Sequence, residues 1–366
     1  MNSLQQLWDQ FGQAPWFDFI ERDLLTSGGL KKLVEEDGVR GVTSNPSIFQ
    51  KAIENGGAYD TAVDDLLSRD AEISTIDLYE ALAIEDIRGA ADILHPVWDE
   101  SGGEDGYVSL EVSPYLARDT EKTVDEARRL WRAVDRRNLM IKVPATPEGI
   151  PAIERLIGEG INVNATLIFS LEHYEAVAQA YLRGLEVCSM PAKVASVASF
   201  FVSRVDSKVD ALLDDIGTQE AFELRGKAAV ANAKLAYRRF EEIFRTAQFD
   251  ALAARGARVQ RPLWASTSTK NPAYRDVIYV EELIGSDTVN TLPVATLEAF
   301  RDHGLPRASI ADNLEQAENT VARLAGLGID LGTVTEELQV DGVDAFAASF
   351  DQLLAALDDA KNGRDA

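Results

Sequence analysis

The sequence has little cysteine and histidine, and it lacks any long apolar run. Cys188 is the only cysteine among 366 residues, so no disulfide can form within the chain and a reducing cytoplasm is the expected compartment. The three histidines lie far apart without the spacing of metal ligands, and we expect no metal site. No apolar stretch approaches the length of a membrane span, so we expect no membrane association.

Basic residues are also scarce, since 36 Lys and Arg stand against 61 Asp and Glu and give a formal net charge of −25. So acidic a surface argues against binding of nucleic acid or of a membrane surface. The window from residue 193 to residue 275 differs, because it contains 14 Lys or Arg and nine Asp or Glu. An anionic small molecule would be attracted to this part of the chain, although solvated helix faces give the same count.

Eight short strand-like segments alternate with helical patterns along the chain. We expect strands at residues 16–20, 39–46, 107–113, 139–144, 162–169, 193–202, 259–266 and 288–293. Strict alternation of β and α segments favours a parallel sheet, and eight such units predict a closed (β/α)8 TIM-type barrel. The second interpretation is an open doubly wound sheet, but no glycine-rich dinucleotide fingerprint follows any strand. We therefore favour the barrel and expect no cofactor.

Residues 1–366 are expected to form a single barrel domain, because no linker, repeat or low-complexity tract divides the chain. A helical insertion around residues 205–255 should contain two or three helices, and extra C-terminal helices follow from about residue 297. The last helix carries an apolar stripe and either crosses the barrel mouth or packs outside it. Other helices are expected at 30–36, 48–67, 76–97, 120–136, 147–158, 170–185 and 271–284, and from 296 to the end.

A lysine interrupts the most apolar of these strands. Lys142 lies in Leu-Met-Ile-Lys-Val-Pro at residues 139–144, a run typical of a strand buried on both faces. Desolvation disfavours an ammonium ion and leaves a nucleophilic amine, which is what a Schiff-base lysine needs. The alternative is a structural lysine that reaches solvent from the strand end or pairs with a carboxylate.

Polar residues share one face in several of the predicted strands. Side chains two residues apart point to the same face, and the apolar faces can pack against helices. The polar faces should therefore point into the barrel, which opens into an active site at the carboxyl ends of its strands. So many buried polar groups on one surface favour a functional site over isolated structural ones. The residues are Asp18, Thr43, Asn45, Glu111, Lys142, Asn164, Thr166, Ser199, Ser266 and Thr291.

Two segments resemble the signatures of the transaldolase family. Residues 41–49 read Gly-Val-Thr-Ser-Asn-Pro-Ser-Ile-Phe, and residues 140–150 read Met-Ile-Lys-Val-Pro-Ala-Thr-Pro-Glu-Gly-Ile, which contains Lys142. The order of the other polar residues also fits to about residue 300, and the chain length resembles the longer bacterial branch. The resemblance implies a cofactor-free enzyme of the pentose phosphate pathway that transfers a dihydroxyacetone unit through a lysine imine.

The resemblance also implies roles for individual residues. Lys142 would attack the ketone of sedoheptulose 7-phosphate or fructose 6-phosphate, and glyceraldehyde 3-phosphate or erythrose 4-phosphate would accept the dihydroxyacetone unit. Asp18 is the implied acid/base for carbon–carbon cleavage, while Glu111 and Thr166 would hold a proton-shuttling water. The hydroxyls of the transferred unit would be bound by Asn45, Asn164 and Ser199, with Thr43 supporting Asn45.

Arginine and serine residues near the sixth and seventh strands are the implied phosphate ligands. Arg204 matches the family's arginine beyond the sixth strand, and Phe201 lines the pocket beside it. The seventh strand departs from the short branch, which has Ser-x-Arg where this chain has Ser266-Thr-Ser268 followed by Lys270. We expect Lys270 to replace the missing arginine; the alternative is a solvated lysine at a helix start.

Two other functions and two oligomeric states remain open at this point. A fructose 6-phosphate aldolase has the same fold and lysine but releases free dihydroxyacetone, and Glu111 and Phe201 follow the transaldolase pattern instead. A catalytically silent barrel that binds a protein partner would form no lysine adduct. The chain is expected to be a monomer or a homodimer that binds sugar phosphates.

Overall fold

Eight parallel strands close into a barrel in a computed structural model that describes residues 1–54 and 57–362. Neighbours in the sequence are neighbours in the barrel, and β8 pairs with β1 to close it. Helices follow the strands, so the predicted (β/α)8 architecture is confirmed. The strands are β1 Gln13–Phe17, β2 Gly41–Val42, β3 Tyr107–Glu111, β4 Leu139–Pro144, β5 Val163–Ile168, β6 Ser196–Phe201, β7 Arg261–Ala265 and β8 Thr288–Leu292.

The helices surround the barrel and cover its carboxyl end. None in the described part of the chain is both long and apolar enough to cross a lipid bilayer. The helices are α1 Ser3–Phe11, α2 Arg22–Thr26, α3 Gly29–Asp37, α4 Pro46–Glu54, α5 Asp60–Arg69, α6 Thr75–Glu100, α7 Thr120–Val134, α8 Gly149–Gly158, α9 Leu171–Val187, α10 Ser203–Ile216, α11 Gln219–Leu224, α12 Ala228–Phe244, α13 Ala247–Ala253, α14 Ile278–Glu281, α15 Val294–His303, α16 Leu314–Gly326 and α17 Leu331–Asn362.

The first two strands differ from their predicted bounds. The β1 strand lies three residues earlier than predicted, because Gln13 is buried and its amide donates to Leu283 O at 2.6 Å and to the Thr288 hydroxyl at 2.9 Å. The residue type alone does not show whether a glutamine is buried with its hydrogen bonds made or exposed to solvent, so this start of β1 was not predicted. The β2 strand has only two residues, and the chain from Thr43 onward curves over the barrel mouth.

Several predicted helices are shorter or divided. The 205–253 region contains four helices, α10 to α13, and the predicted 271–284 helix is reduced to the single turn α14. Asn271-Pro272 starts a turn there, because the Asn271 carboxamide oxygen accepts from Ala273 N at 2.9 Å. The predicted 48–67 helix divides into α4 and α5, with residues 55–56 outside the described part. The predicted helix from 296 is interrupted at 304–313 and 327–330, and residues 363–366 also lie outside that part.

Strand register aligns the polar side chains across neighbouring strands. Glu111 on β3 pairs with Lys142 on β4, and Lys142 pairs with Asn164 on β5. Residues that are level in a parallel barrel and share its interior face belong to one layer of side chains. A carboxylate, an amine and a carboxamide are thereby brought together although they are 22 to 53 residues apart in the sequence.

The last helix, α17, lies across the carboxyl end of the barrel, which is one of the two positions that the sequence left open. The Gln339 side-chain amide donates to the backbone oxygens of Ala145 and Leu167, 3.0 Å away in each case, just beyond β4 and within β5. The Ser47 hydroxyl donates to the Ser349 hydroxyl at 2.7 Å and joins α17 to α4. Buried apolar residues of α17 therefore face the barrel mouth.

A buried ionic cluster closes the opposite end of the barrel. Asp105 is fully buried and accepts from Arg40 at 2.9 Å, from Arg261 at 2.8 Å and from the Trp16 indole at 3.2 Å. Burial alone would raise the pKa of Asp105, but the two guanidinium groups lower it below its ordinary value. The charge of Asp105 is therefore compensated at this end, whereas Lys142 lies toward the carboxyl end of its strand.

Candidate active site

A cavity of about 250 Å³ opens at the carboxyl ends of the strands and contains Lys142 in its wall. Eleven of the thirteen candidate residues line it, and Glu111 and Asn164 lie just behind them. The polar faces of separate strands converge here because their side chains alternate between the barrel interior and the helices. The candidates that line the cavity are Asp18, Thr43, Asn45, Lys142, Thr166, Ser199, Phe201, Arg204, Ser266, Ser268 and Lys270.

Lys142 is the buried cation of the cavity. Its Nζ lies 3.3 Å from Glu111 Oε2 and donates to the Ser44 backbone oxygen at 3.2 Å. The two side chains of the ion pair are only 6% and 5% exposed, so water screens their charges little. The Phe346 ring of α17 lies 5.4 Å from Nζ and covers the amine from the solvent side. The amine is thus held in one place and partly shielded from bulk water.

Glu111 and Thr166 each present oxygen atoms without a hydrogen-bond partner among the described residues. Burial raises the pKa of Glu111, the charge of Lys142 opposes the rise, and the charge of Asp18 adds to it. Buried oxygens in a polar site are usually satisfied by ordered water. A buried carboxylate whose pKa is raised holds a proton more readily than an exposed one and can take part in proton transfer.

Asp18 is held by the hydroxyl of Thr43. Thr43 Oγ1 donates to Asp18 Oδ1 at 2.6 Å and lies 2.7 Å from Thr291 Oγ1, which must be the donor of that second bond. Burial raises the pKa of Asp18, whereas the Thr43 hydrogen bond and the charges of Lys142 and Arg204 lower it. Thr43 was expected to support Asn45, but its hydroxyl bonds to Asp18 and Thr291 instead.

Asn45 ends the short segment after β2 and begins α4. Its side-chain oxygen accepts from the backbone N–H of Ile48 at 3.1 Å, which caps the helix as asparagine does at helix starts. The cap leaves the NH₂ group of Asn45 available on the cavity side, where the residue contributes to the wall. Asn45 can therefore donate a hydrogen bond to a bound hydroxyl or carbonyl oxygen.

Asn164 lies beneath the cavity and acts on it through Ser199. The Ser199 hydroxyl donates to Asn164 Oδ1 at 2.6 Å, and Asn164 Nδ2 donates to the Ser109 hydroxyl at 3.0 Å. Asn164 is fully buried, while Ser199 reaches the cavity. The chain of hydrogen bonds fixes the direction of the Ser199 hydroxyl, whose oxygen remains able to accept from a ligand.

Two cations lie at one end of the cavity. The Arg204 guanidinium is 5.3 Å from the Phe201 ring, and Lys270 Nζ donates to Ser268 Oγ at 2.7 Å. Burial lowers the pKa of Arg204; burial and the charges of Arg204 and Lys51 lower the pKa of Lys270. The charge of Asp18 partly opposes the fall in the pKa of Arg204. Two cations with a serine hydroxyl beside them form a suitable binding site for a dianionic group.

Ser266 adopts a left-handed backbone conformation next to these cations, with φ of 55°. Its backbone oxygen accepts from Ser203 N at 3.0 Å, and its hydroxyl lies 2.9 Å from the Ser203 hydroxyl. A non-glycine residue in this region is strained and persists only where its surroundings hold it. The bonds to Ser203 fix the carboxyl end of β7 to the start of α10, the helix that carries Arg204.

Sequence reasoning missed several groups that complete the cavity. Phe346 was recognised only as part of the α17 stripe, and Ser47 and Pro293 were not singled out, although all three line the cavity. The Ser44 backbone oxygen, which accepts from Lys142, could not be found from side-chain types at all. The stripe on α17 was the one available signal for Phe346, because a very apolar final helix needs a surface to cover.

A buried lysine paired with a carboxylate, at the carboxyl end of a (β/α)8 barrel, is an arrangement suited to carbonyl chemistry through a lysine imine. The comparisons with known proteins agree with that class. Residues 15–357 match the model of the transaldolase/fructose-6-phosphate aldolase family. The chain belongs to this family.

Bacterial relatives match nearly the whole chain. A transaldolase of Thiobacillus denitrificans is 53% identical over 353 residues, which cover 95% of this chain and 98% of the relative. A transaldolase of a Parafrankia species is 53% identical over 348 residues, or 94% of each chain. A transaldolase of Thermobifida fusca is 51% identical over 356 residues, or 96% of each chain. The chain thus covers 94% or more of each of these relatives.

Proposed function

We propose that this protein is a transaldolase that moves a dihydroxyacetone unit from a ketose phosphate to an aldose phosphate. Donors would be sedoheptulose 7-phosphate or fructose 6-phosphate, and acceptors glyceraldehyde 3-phosphate or erythrose 4-phosphate. The ion pair between Lys142 in the cavity wall and Glu111 behind it is the observation that carries the proposal, together with relatives that bear the name transaldolase. A reducing cytoplasm is its proposed compartment, because Cys188 is the only cysteine.

Imine formation is the first proposed step. The Lys142 ammonium first passes a proton to the Glu111 carboxylate, 3.3 Å away. The resulting neutral amine attacks the ketone carbon and forms a carbinolamine, which then loses its hydroxyl as water. Glu111 and Thr166 hold a water molecule that carries the required proton to the departing hydroxyl and removes one from nitrogen. The buried carboxylate 3.3 Å from Nζ stabilises the protonated imine that results.

Carbon–carbon cleavage is the second proposed step. Asp18 removes the proton of the hydroxyl next to the bond that breaks, so that this oxygen becomes the aldehyde of the departing aldose phosphate. The electron pair of the broken bond moves into the imine and leaves an enamine on Lys142. When the acceptor aldehyde binds, the enamine attacks it and Asp18 returns the proton to the new hydroxyl.

The dihydroxyacetone unit must stay bound between the two half-reactions. Asn45 and Ser199 are proposed to hydrogen-bond its hydroxyls, and Asn164 orients Ser199 from below. Arg204, Ser266, Ser268 and Lys270 are proposed to bind the phosphate of the departing and arriving aldose at the other end of the cavity, beside Phe201. Fixed ligands for the retained unit and a separate site for the phosphate let one aldose leave while the intermediate remains.

Product analysis with and without an acceptor tests the proposal. With fructose 6-phosphate and erythrose 4-phosphate we expect sedoheptulose 7-phosphate, and with fructose 6-phosphate alone little free dihydroxyacetone. Rapid release of dihydroxyacetone without an acceptor would assign the chain to the fructose 6-phosphate aldolase branch. Absence of any product would favour the non-catalytic barrel. Asp18→Asn should still form the imine, and borohydride should then trap the intact ketose phosphate because cleavage is blocked.

The phosphate role of Lys270 has its own test. Lys270→Met should raise the KM for glyceraldehyde 3-phosphate about tenfold or more and leave the KM for unphosphorylated glyceraldehyde within twofold, since only the former has a charge to lose. Lys31→Met is a matched control, because Lys31 is exposed and pairs with Glu35 on α3. An equal rise for both acceptors would reject the assignment.

A further inference from the structure

The loop that carries Lys270 needs an anchor, because two cations share this end of the cavity. Lys270 lies in residues 266–277 between β7 and α14, while Arg204 lies at the start of α10. Arg204 lowers the pKa of Lys270, so each charge disfavours the approach of the other when no anion is bound. Lys270 itself is exposed, and its amine donates within its own loop, to the Ser268 hydroxyl.

Asp210 on α10 holds this loop by a single strong hydrogen bond. The Tyr274 hydroxyl donates to Asp210 Oδ2 at 2.6 Å, and the backbone N–H of Gly226 donates to Asp210 Oδ1 at 2.9 Å. Asp210 forms no ion pair with Lys or Arg in the described part of the chain, so its buried charge depends on these two donors. One carboxylate therefore joins the Lys270 loop and the turn between α11 and α12 to α10, the helix that carries Arg204.

A second carboxylate repeats the arrangement one helical turn earlier. Asp206 Oδ2 accepts from the Tyr279 hydroxyl at 2.8 Å, and Oδ1 accepts from Ala229 N at 2.7 Å. Residues four apart lie on the same face of a helix, so Asp206 contacts α14 and α12 while Asp210 contacts the segments just before these two helices. The two tyrosine–aspartate hydrogen bonds therefore attach the segment after β7 to α10 at Tyr274 and at Tyr279.

Packing and a backbone hydrogen bond around Tyr274 link the position of this residue to that of Lys270. Gly226 has φ of +69°, and a Cβ atom there would lie 2.8 Å from the Tyr274 ring, so the ring packs directly on the glycine. On the loop side, Tyr274 N donates to Asn271 O at 3.1 Å and closes a turn next to Lys270. A displacement of Tyr274 therefore moves the residue that follows Lys270.

We propose that Tyr274, held by Asp210, is a positioning residue that sets the affinity for the aldose phosphate by fixing the Lys270 loop against the helix of Arg204. The inference rests on the proposed phosphate role of Lys270. It also gives a function to the helical insertion, which supplies Gly226 and Ala229 as the second anchors of the two carboxylates.

A double-mutant cycle of Tyr274 and Asp210 tests the inference. The quantity compared is the KM for glyceraldehyde 3-phosphate divided by the KM for glyceraldehyde, called the KM ratio below. Tyr274→Phe keeps the ring and removes the hydroxyl; we expect the KM for glyceraldehyde 3-phosphate to rise about five- to tenfold, with kcat and the KM for glyceraldehyde within twofold. Asp210→Ala should do the same, and the double variant should be no worse than either single variant. Asp210→Asn should retain most of the affinity, because a carboxamide can still bond to the phenol.

Tyr181→Phe is the matched control, since its hydroxyl donates to Arg258 O at 2.8 Å away from the cavity and no change in the KM ratio is expected. An unchanged ratio in Tyr274→Phe, equal KM rises for both acceptors, or multiplied effects in the double variant would overturn the inference. If Lys270→Met also leaves the ratio unchanged, the phosphate role itself is wrong. If only Lys270→Met changes it, the positioning role alone is wrong.

Discussion

Glu111 and Lys142 form a buried ion pair of 3.3 Å whose two members line different cavities. Lys142 lines the cavity at the barrel mouth, and Glu111 lines a second cavity of about 260 Å³ whose other lining residues include Tyr79 and Phe350. The carboxylate thus borders a different cavity from the one in which the substrate is proposed to bind. A group in that position can move protons without competing for space with the sugar.

Glu111→Gln should lower kcat by about 10²- to 10³-fold, because a carboxamide cannot exchange the protons of the carbinolamine. Borohydride trapping should still modify Lys142, but more slowly than in the parent. Glu80→Gln is the control, because Glu80 also lines the second cavity but pairs with Arg129. The kcat of this variant should stay within twofold of that of the parent. A near-normal kcat in Glu111→Gln would remove Glu111 from the mechanism.

Thr43→Val should move the acidic limb of the kcat/KM profile to higher pH. In the proposed mechanism Asp18 acts as a base in its ionised form; burial raises its pKa, and the Thr43 hydroxyl counteracts this rise by bonding to the carboxylate. Loss of the hydroxyl raises the pKa of Asp18 further, so the base is protonated at a higher pH than before. Thr43→Ser keeps the hydroxyl and should keep the limb in place. Profiles measured from pH 5 to pH 9 decide this, and an unmoved limb in Thr43→Val would contradict it.

Phe346→Ala should let water reach the intermediate on Lys142. The ring lies 5.4 Å from Nζ and is part of α17, which crosses the barrel mouth. We expect the ratio of free dihydroxyacetone to transferred product to rise about tenfold, because exclusion of water protects a reactive intermediate. Val340→Ala, at an exposed position of the same helix, should leave the ratio unchanged. An unchanged ratio in Phe346→Ala would show that the ring does not shield the imine.

Asp206→Asn should stabilise the protein above pH 6. Burial raises the pKa of Asp206 from 3.8 to about 6, so the folded chain binds this proton more tightly than the unfolded chain does. Stability from this group is therefore greatest below about pH 4 and declines as the pH rises through about 6. The variant cannot ionise and should gain up to about 3 kcal/mol relative to the parent between pH 4 and pH 8.

Urea unfolding at pH 4, 6 and 8 measures the effect, with the exposed Asp344→Asn as control. A constant difference in unfolding free energy between Asp206→Asn and the parent would contradict the raised pKa.

Strand periodicity made much of the site predictable from the sequence. The alternation of polar and apolar residues in β3, β4 and β5 predicted that Glu111, Lys142 and Asn164 all face the barrel interior. A side chain on a strand can point only to one of the two faces of the sheet. The partner of Thr43 was not predictable, because it depends on the stagger between β1 and β2, and β1 begins at Gln13, three residues before its predicted start. Contacts made by α17 depend on how a distant helix docks, which no local pattern encodes.

The helical insertion shows the same limit. Helical periodicity indicated extra helices after residue 205, and four are present. Their number was wrong in the prediction because Gly217, Gly226 and the residues around Arg245 end helices that composition alone would continue. Bonds from the insertion to Asp206 and Asp210 are visible only once α10 and α12 are packed.

Reduction with borohydride in the presence of fructose 6-phosphate, followed by peptide mass mapping, tests the central claim most directly. The account predicts a stable dihydroxyacetone-derived adduct on Lys142, no adduct on Lys234, which is buried beside Glu282 in another part of the fold, and loss of both adduct and turnover in Lys142→Ala. An unmodified Lys142, or full turnover by Lys142→Ala, would contradict the account.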